Sequence, residues 1–258
     1  MVLDDPAISN VVFYPRKMKK PEKLPSNMKA LEFQINDEIS IGGICYLKDE
    51  KLPSILMFHG NGEVALDYTY FYENYFDCDV NLTVADFRGY GFSTGRPIYS
   101  GLIDDAMPVY NQFRDWINEE GMNNSLFIKG RSLGSVCAAE IGSHNPNDVR
   151  GVIFESGFAN IYKLMTDLFQ IRDPNINEDL LKPYSNDTRI KEIQKPTLII
   201  HGTNDRIINV EQGQLIYKTL PEDVEKELIL IEGAGHNNIF SFDVEYFVPM
   251  KKFIQKYK

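Results

Sequence analysis

At 258 residues, with 43% hydrophobic and 25% charged residues, the chain is long enough to bury one large core and has the composition of a globular protein, not a disordered one. Its formal net charge of -10 excludes a general nucleic-acid surface, which needs clustered Lys and Arg to neutralise phosphates. Cys45, Cys78 and Cys137, odd in number and far apart, read as reduced thiols acting as small hydrophobes, which argues against a disulfide framework or a metal site.

No run of roughly 18 apolar residues exists, and Met1-Val-Leu-Asp-Asp-Pro lacks the basic-then-apolar layout of a signal peptide. A cytoplasmic location with no transmembrane segment is therefore expected, and the acceptor-like triplets at Asn81, Asn123 and Asn186 read as chance matches. The basic run Arg16-Lys-Met-Lys-Lys is short and is expected on a solvated N-terminal arm covering 1–28.

In chain order, Asn10 to Tyr14 and Lys29 to Leu47 predict antiparallel strands. The texture then changes. Ser54-Ile-Leu-Met-Phe is continuously apolar, as expected of a parallel strand buried on both faces. A helix over about 65–76, a strand over 80–85 and a helix over about 101–120 follow, which is the alternation of a doubly wound α/β sheet. Ser125 to Arg131 supplies the next strand and Ser135 onward its helix. Val149 to Glu155 is another strand. Residues 157–195 read as a short cap insertion, with a helix near Tyr162 to Phe169 and then a loop rich in Pro and Asn. Strands at Thr197 to His201 and Glu227 to Ile231 flank a helix at Val210 to Thr219, and a helix from about Phe240 to Lys256 ends the chain. A single domain spanning 1–258 is expected.

Two segments fit Gly-x-Ser-x-Gly, at Gly91 to Gly95 and Gly130 to Gly134. Pro97 follows the first closely and pushes the chain out of helical geometry, whereas Ser135-Val-Cys-Ala-Ala-Glu-Ile continues the second directly as a helix. A nucleophilic serine on a strand-turn-helix elbow needs that helix, with glycines two residues to either side so that strand and helix can approach. Ser132 is thus the candidate, and the Leu133 amide at the helix start is placed to stabilise a developing oxyanion. Gly89-Tyr-Gly91-Phe-Ser-Thr-Gly95 also imitates a dinucleotide loop, but Pro97 opposes the helix that a pyrophosphate would need. No cofactor is expected.

A serine hydroxyl needs a base to remove its proton, and the base needs an acid to orient it. His59 and His201 end strands before glycine and His144 sits near Pro146, all three readable as structural, whereas His236 lies in a Gly-rich loop after the last strand. Asp205, after the penultimate strand, is the simplest acid. Glu155 is its competitor, and a cap or turn role is the plainer reading of Asp205. With Asp205 the chain order is Ser, Asp, His, and His236 is the one histidine beyond it.

His59-Gly-Asn-Gly, Asp86-Phe-Arg-Gly-Tyr-Gly-Phe-Ser, Gly130-Arg-Ser-Leu-Gly, His201-Gly-Thr-Asn-Asp and Gly235-His236 together resemble the α/β-hydrolase fold family, from about Lys29 to the C-terminus. The elbow and the Asp-x-Arg-Gly-Tyr-Gly segment are most similar to the branch with the Bem46-like and ABHD17-like serine hydrolases. That resemblance implies a catalytic triad of Ser132, His236 and Asp205. It also implies an oxyanion hole from the backbone amides of Asn61 and Leu133, with Asp86 and Arg88 bracing their loop. The resemblance does not fix a substrate; the expected activity is that of a metal-free serine hydrolase acting on an ester or thioester, with a small-molecule or acyl substrate, through an acyl-enzyme. A peptidase or amidase needs the same residues, and a non-catalytic protein that keeps the fold is the reading from another class. Phe158, Leu164, Met165, Leu168 and Phe169 are candidates for the substrate pocket, or equally for ordinary packing of an amphipathic helix.

Overall fold

The computed structural model describes residues 2–173 and 176–258. Met1, in the expected N-terminal arm, and residues 174 and 175, in the expected insertion, lie outside the described residues. The elements in order are α1 (Pro6–Val12), β1 (Met28–Gln34), β2 (Ser40–Tyr46), β3 (Ser54–Phe58), α2 (Tyr72–Phe76) and β4 (Asn81–Ala85). Next come α3 (Tyr99–Asp104), α4 (Ala106–Glu119), β5 (Leu126–Arg131), α5 (Ser135–Ser143), β6 (Val149–Glu155) and α6 (Ile161–Asp167). The chain finishes with α7 (Glu178–Leu181), α8 (Asp187–Ile190), β7 (Thr197–Gly202), α9 (Val210–Thr219), β8 (Lys226–Ile231) and α10 (Asp243–Tyr257).

The eight strands form one sheet in the order β1-β2-β4-β3-β5-β6-β7-β8. β1 and β2 run antiparallel to each other, and β2 antiparallel to β4. From β4 to β8 every pairing is parallel. This is the mostly parallel, doubly wound sheet with antiparallel N-terminal strands that the sequence predicts. The apolar runs explain it. Successive side chains of a strand face opposite sides, and in β3 Leu56 and Phe58 join the core shared with Phe113 of α4 and Val136 of α5. Ile55 and Met57 join the opposite core with Tyr246 and Phe253 of α10. Helices on both faces bury every residue of β3, β4 and β5.

Several local expectations are corrected. Asn10 to Tyr14 is no strand: residues 6–12 are helical, started by Pro6 at the first turn and by the Asp5 carboxylate, which accepts from the Ala7 amide at 2.8 Å. The helix expected over 65–76 is a 3-10 turn (Ala65–Tyr70) followed by α2, and the one over 101–120 breaks between α3 and α4 at Asp105. Asp105 is held there by a two-pronged ion pair with Arg88, at 2.6 and 2.7 Å. The loop expected after Phe169 contains α7 and α8, with Asn177 capping α7 through the Leu180 amide. The basic run is exposed, as expected, but not loose. Arg16 donates to the Gly62 carbonyl at 3.2 Å and Lys17 to the Ser93 carbonyl at 2.6 Å.

Candidate active site

The site is built where β5 ends. Ser132 takes a left-handed backbone, φ +50°, at the turn between β5 and α5. Non-glycine residues seldom occupy that region, so the surrounding structure has to impose it. The two flanking glycines show how. A Cβ on Gly130 would lie 2.4 Å from the Gly134 carbonyl oxygen, and one on Gly134 would lie 2.1 Å from the Phe58 carbonyl oxygen at the end of β3. Only hydrogen fits at either position, so α5 sits directly against the ends of β3 and β5 with the serine at the apex.

The loops after β7 and β8 meet above this turn. A Cβ on Gly202 would be 2.2 Å from the Ala234 carbonyl oxygen, and the Asn204 amide donates to that same oxygen at 2.9 Å. That close approach brings the two loops into register. His236 Nδ1 stands 2.7 Å from Asp205 Oδ2, and His236 Nε2 stands 3.0 Å from Ser132 Oγ. The other Asp205 oxygen accepts from the amides of Ile207 and Ile208 at 2.9 and 2.8 Å, which fixes the carboxylate plane. Burial alone raises the Asp205 carboxyl. Hydrogen bonds from His201 and His236, the His236 charge and the Ile208 amide outweigh it, and the group lies well below the usual carboxylate range. An ionised carboxylate only accepts, so Nδ1 donates to Asp205, and when the ring carries that one proton Nε2 is left to accept from the serine hydroxyl.

Below the serine lies a buried charge cluster that no sequence pattern announced. Arg131, adjoining Ser132 in the chain, donates to Glu63 Oε1 and Glu155 Oε1 at 2.7 Å each and to the His236 carbonyl at 3.1 Å. It therefore ties the elbow, the loop after β3 and the histidine loop to one guanidinium. The Gly-rich histidine loop is thereby braced from beneath. Glu63 also accepts from the Gly60 amide at 3.0 Å and from the Tyr68 hydroxyl at 2.8 Å. Burial raises its carboxyl, but the Arg131 charge, then His59 and Tyr68, bring it down to about 2. Glu155, the competing acid, pairs with Lys129 and Arg131 and accepts from the Tyr246 hydroxyl at 2.6 Å. Those bonds occupy both of its oxygens, whereas the carboxylate that meets His236 Nδ1 is that of Asp205.

Ser132, Leu133, Asn61 and His236 all line one cleft of about 320 Å³. Phe158, Leu164, Leu168 and Phe169 line it as well. Met165 does not: it is turned into the core, at 1% exposure, because it lies one position beyond Leu164 on α6. Tyr14, Glu63, Ile207, Ile208 and Asn237 line the cleft without having been expected. Ile207 and Ile208 follow Asp205 by two and three residues, a local signal that was available. Tyr14 had none, since nothing near it in sequence belongs to the site.

The rival residues are placed elsewhere. Ser93 is buried and its hydroxyl accepts from the Gly42 amide at 2.9 Å, bracing β2 against the loop after β4. Asp86 accepts from the Ala65 amide at 2.8 Å and lies 3.2 Å from His59, holding the loop that carries Asn61. His201 contacts the Ile208 carbonyl at 2.8 Å, and His144 is at the surface beside Glu140. Among the described residues, no group of three or more His, Cys, Asp or Glu side chains is arranged to hold a metal ion. Cys45, Cys78 and Cys137 are free and buried, and burial raises each thiol. No helix among the described residues is long and apolar enough to cross a membrane.

Comparison with known proteins agrees with this geometry at the level of fold and family. A family model described as serine aminopeptidase, S33, matches residues 49–177 and 185–242. α/β hydrolase domain-containing protein 17C of Xenopus tropicalis is 30% identical over 179 residues, covering 67% of this chain and 52% of that protein. Protein 17B of the same group from Homo sapiens is 25% identical over 207 residues, 79% of this chain and 66% of that protein. The chain thus spans between about half and two thirds of the length of the curated relatives it matches. Among solved structures, the esterase Pf2001 of Pyrococcus furiosus superposes with a TM-score of 0.73 at 19% identity, covering 94% of this chain and 98% of that one.

Proposed function

The chain belongs to the α/β-hydrolase family described as serine aminopeptidase, S33, and from that premise we propose that it is a serine hydrolase cleaving a carboxylic ester or thioester through an acyl-enzyme. The observation that carries the reading is the unbroken chain Asp205, His236, Ser132, at 2.7 and 3.0 Å, opening into a largely apolar cleft. In this reading His236 Nε2 takes the proton as Ser132 Oγ attacks the acyl carbon. The tetrahedral oxyanion is held by the backbone amides of Leu133 and Asn61. The carbon–oxygen or carbon–sulfur bond then breaks, and the same proton passes from His236 to the leaving alcohol or thiol. Water, deprotonated by His236, next releases the acid and restores Ser132.

A peptidase or amidase is the second reading, and the family's description favours it. The cleft argues against its aminopeptidase form. Such an enzyme needs a free carboxylate for the substrate's ammonium group, and among the described residues Glu63 is the sole acidic one lining the cleft. Its oxygens are already satisfied by Arg131, Gly60 and Tyr68. A non-catalytic role would leave the left-handed Ser132 and its two partners without a purpose. The same reading takes residues 1–258 as one unit with 157–195 as a short cap, needs no metal or cofactor, and places the protein in the cytoplasm, where buried free thiols persist.

A series of p-nitrophenyl esters, acyl-thioesters and aminoacyl anilides tests the proposal. Each methylene that enters the apolar cleft contributes about 0.8 kcal/mol, so kcat/KM is expected to rise about fourfold per methylene and then level off once the cleft is full. Anilides turned over faster than esters of the same acyl group would move the assignment to a peptidase. A flat response to chain length would remove the cleft from acyl binding.

A further inference from the structure

Resting on the hydrolase reading of Ser132, we infer that residues 12–18 are a working part of the site: their backbone holds Asn61 in position, and the Tyr14 ring forms a wall of the cleft that selects substrates with a bulky apolar group. The Asn61 carboxamide points away from catalysis and into this segment. Its Nδ2 donates to the Val12 carbonyl at 2.6 Å, and its Oδ1 accepts from the Tyr14 amide at 3.0 Å and the Tyr90 hydroxyl at 2.6 Å. The Tyr14 amide is shared, lying 3.0 Å from the Tyr90 hydroxyl oxygen as well.

The segment is fastened on both sides of that contact. Val12 and Phe13 are buried in the core. Arg16 donates to the carbonyl of Gly62, next to Asn61, and its own carbonyl accepts from the Gly91 amide at 2.9 Å. Met18 returns a hydrogen bond to the Gly91 carbonyl at 2.8 Å, so residues 16–18 pair with the loop after β4 like a short strand. One extended stretch thus links Asn61 to Tyr90 and Gly91. An amide that is to meet an oxyanion gains from being fixed before the reaction, because no reorganisation is then needed in the transition state. The Tyr14 ring, meanwhile, is 60% exposed yet lines the cleft, where a large flat side chain offers apolar area with few torsions to freeze.

Tyr90→Phe tests the hold on Asn61. It deletes the hydroxyl that donates to the Asn61 carboxamide and accepts from the Tyr14 amide, and leaves the buried ring against His59 and Phe87. On p-nitrophenyl acetate, kcat is expected to fall about five- to tenfold with KM unchanged, as for the loss of one buried hydrogen bond that orients a transition-state donor. Hydrogen exchange of the peptide covering residues 59–64 is expected to quicken in the same variant, which needs no turnover to be read. A kcat within twofold of the parent, whatever the exchange, overturns the segment's part in turnover, and unchanged exchange overturns its hold on Asn61. Tyr14→Ala tests the wall and keeps the backbone contacts. The ratio of kcat/KM for a phenylacyl ester to that for the acetate is expected to drop about fivefold, and an unchanged ratio overturns the selective role. A parent chain that neither hydrolyses any ester nor reacts at Ser132 overturns the hydrolase reading instead, and exchange alone then decides whether the segment holds Asn61.

Discussion

Ser132→Ala is expected to lower kcat on a p-nitrophenyl ester by roughly ten-thousand- to million-fold, with His236→Ala close behind and the double variant hardly worse than either. The near-equality follows from the geometry. Among the described residues Ser132 Oγ has one base at hydrogen-bond distance, His236 Nε2 at 3.0 Å, so removing either member stops the same proton transfer. Asp205→Asn is expected to cost about ten-thousand-fold while leaving the loop in place. An amide side chain keeps an acceptor for the Ile207 and Ile208 amides, but it also presents a donor to Nδ1 and so favours the wrong tautomer. Steady-state kinetics on the three single variants and the Ser132/His236 double variant check this. Losses that multiply would show that Ser132 and His236 do not act as a unit.

Arg131→Met is expected to have the largest effect on stability, on the order of 3 kcal/mol, read as a lower denaturant midpoint at unchanged slope. The guanidinium is 3% exposed and lies between two carboxylates, so the variant keeps the desolvation cost of Glu63 and loses the cation that offsets it. Glu155 suffers less because Lys129 still pairs with it. Arg131→Lys keeps a positive charge but cannot span Glu63, Glu155 and the His236 carbonyl at once, and an intermediate loss is expected. The folded fraction of either variant should also turn over more slowly, because the histidine loop loses its support from below. A midpoint unchanged by Arg131→Met would mean that the cluster contributes nothing net to stability.

The parallel strands were legible because burial on both faces leaves a continuous apolar run, as in Ser54 to Phe58. Lys129 interrupts such a run in β5 without breaking the strand, since its ammonium finds Glu155 across the parallel pairing of β5 with β6. Helix limits were less legible. The break at Asp105 coincides with its ion pair to Arg88, a partner 17 residues away, and no short window of sequence holds that information. Asn10 to Tyr14 misled through its β-branched and aromatic residues, although Asp5-Pro6 just before it was a readable helix start. In the candidate site, the chain order of Ser132, Asp205 and His236 pointed to loops that the structure brings together, and their chemical roles are the proposal made above. Met165 shows the limit of composition: an apolar helix names candidates for a cleft, but only the helix's rotation separates Leu164 and Leu168 from it. Tyr14 and the Arg131 cluster depend on contacts 47 and 68 residues apart, and sequence neighbours carry no trace of them.

The most direct test of the account is to treat the intact protein with a fluorophosphonate, digest it and locate the adduct by mass spectrometry. A single adduct on Ser132, absent from His236→Ala under the same conditions, is the predicted result. An adduct on Ser93, or none while ester hydrolysis continues undiminished in Ser132→Ala, would contradict it.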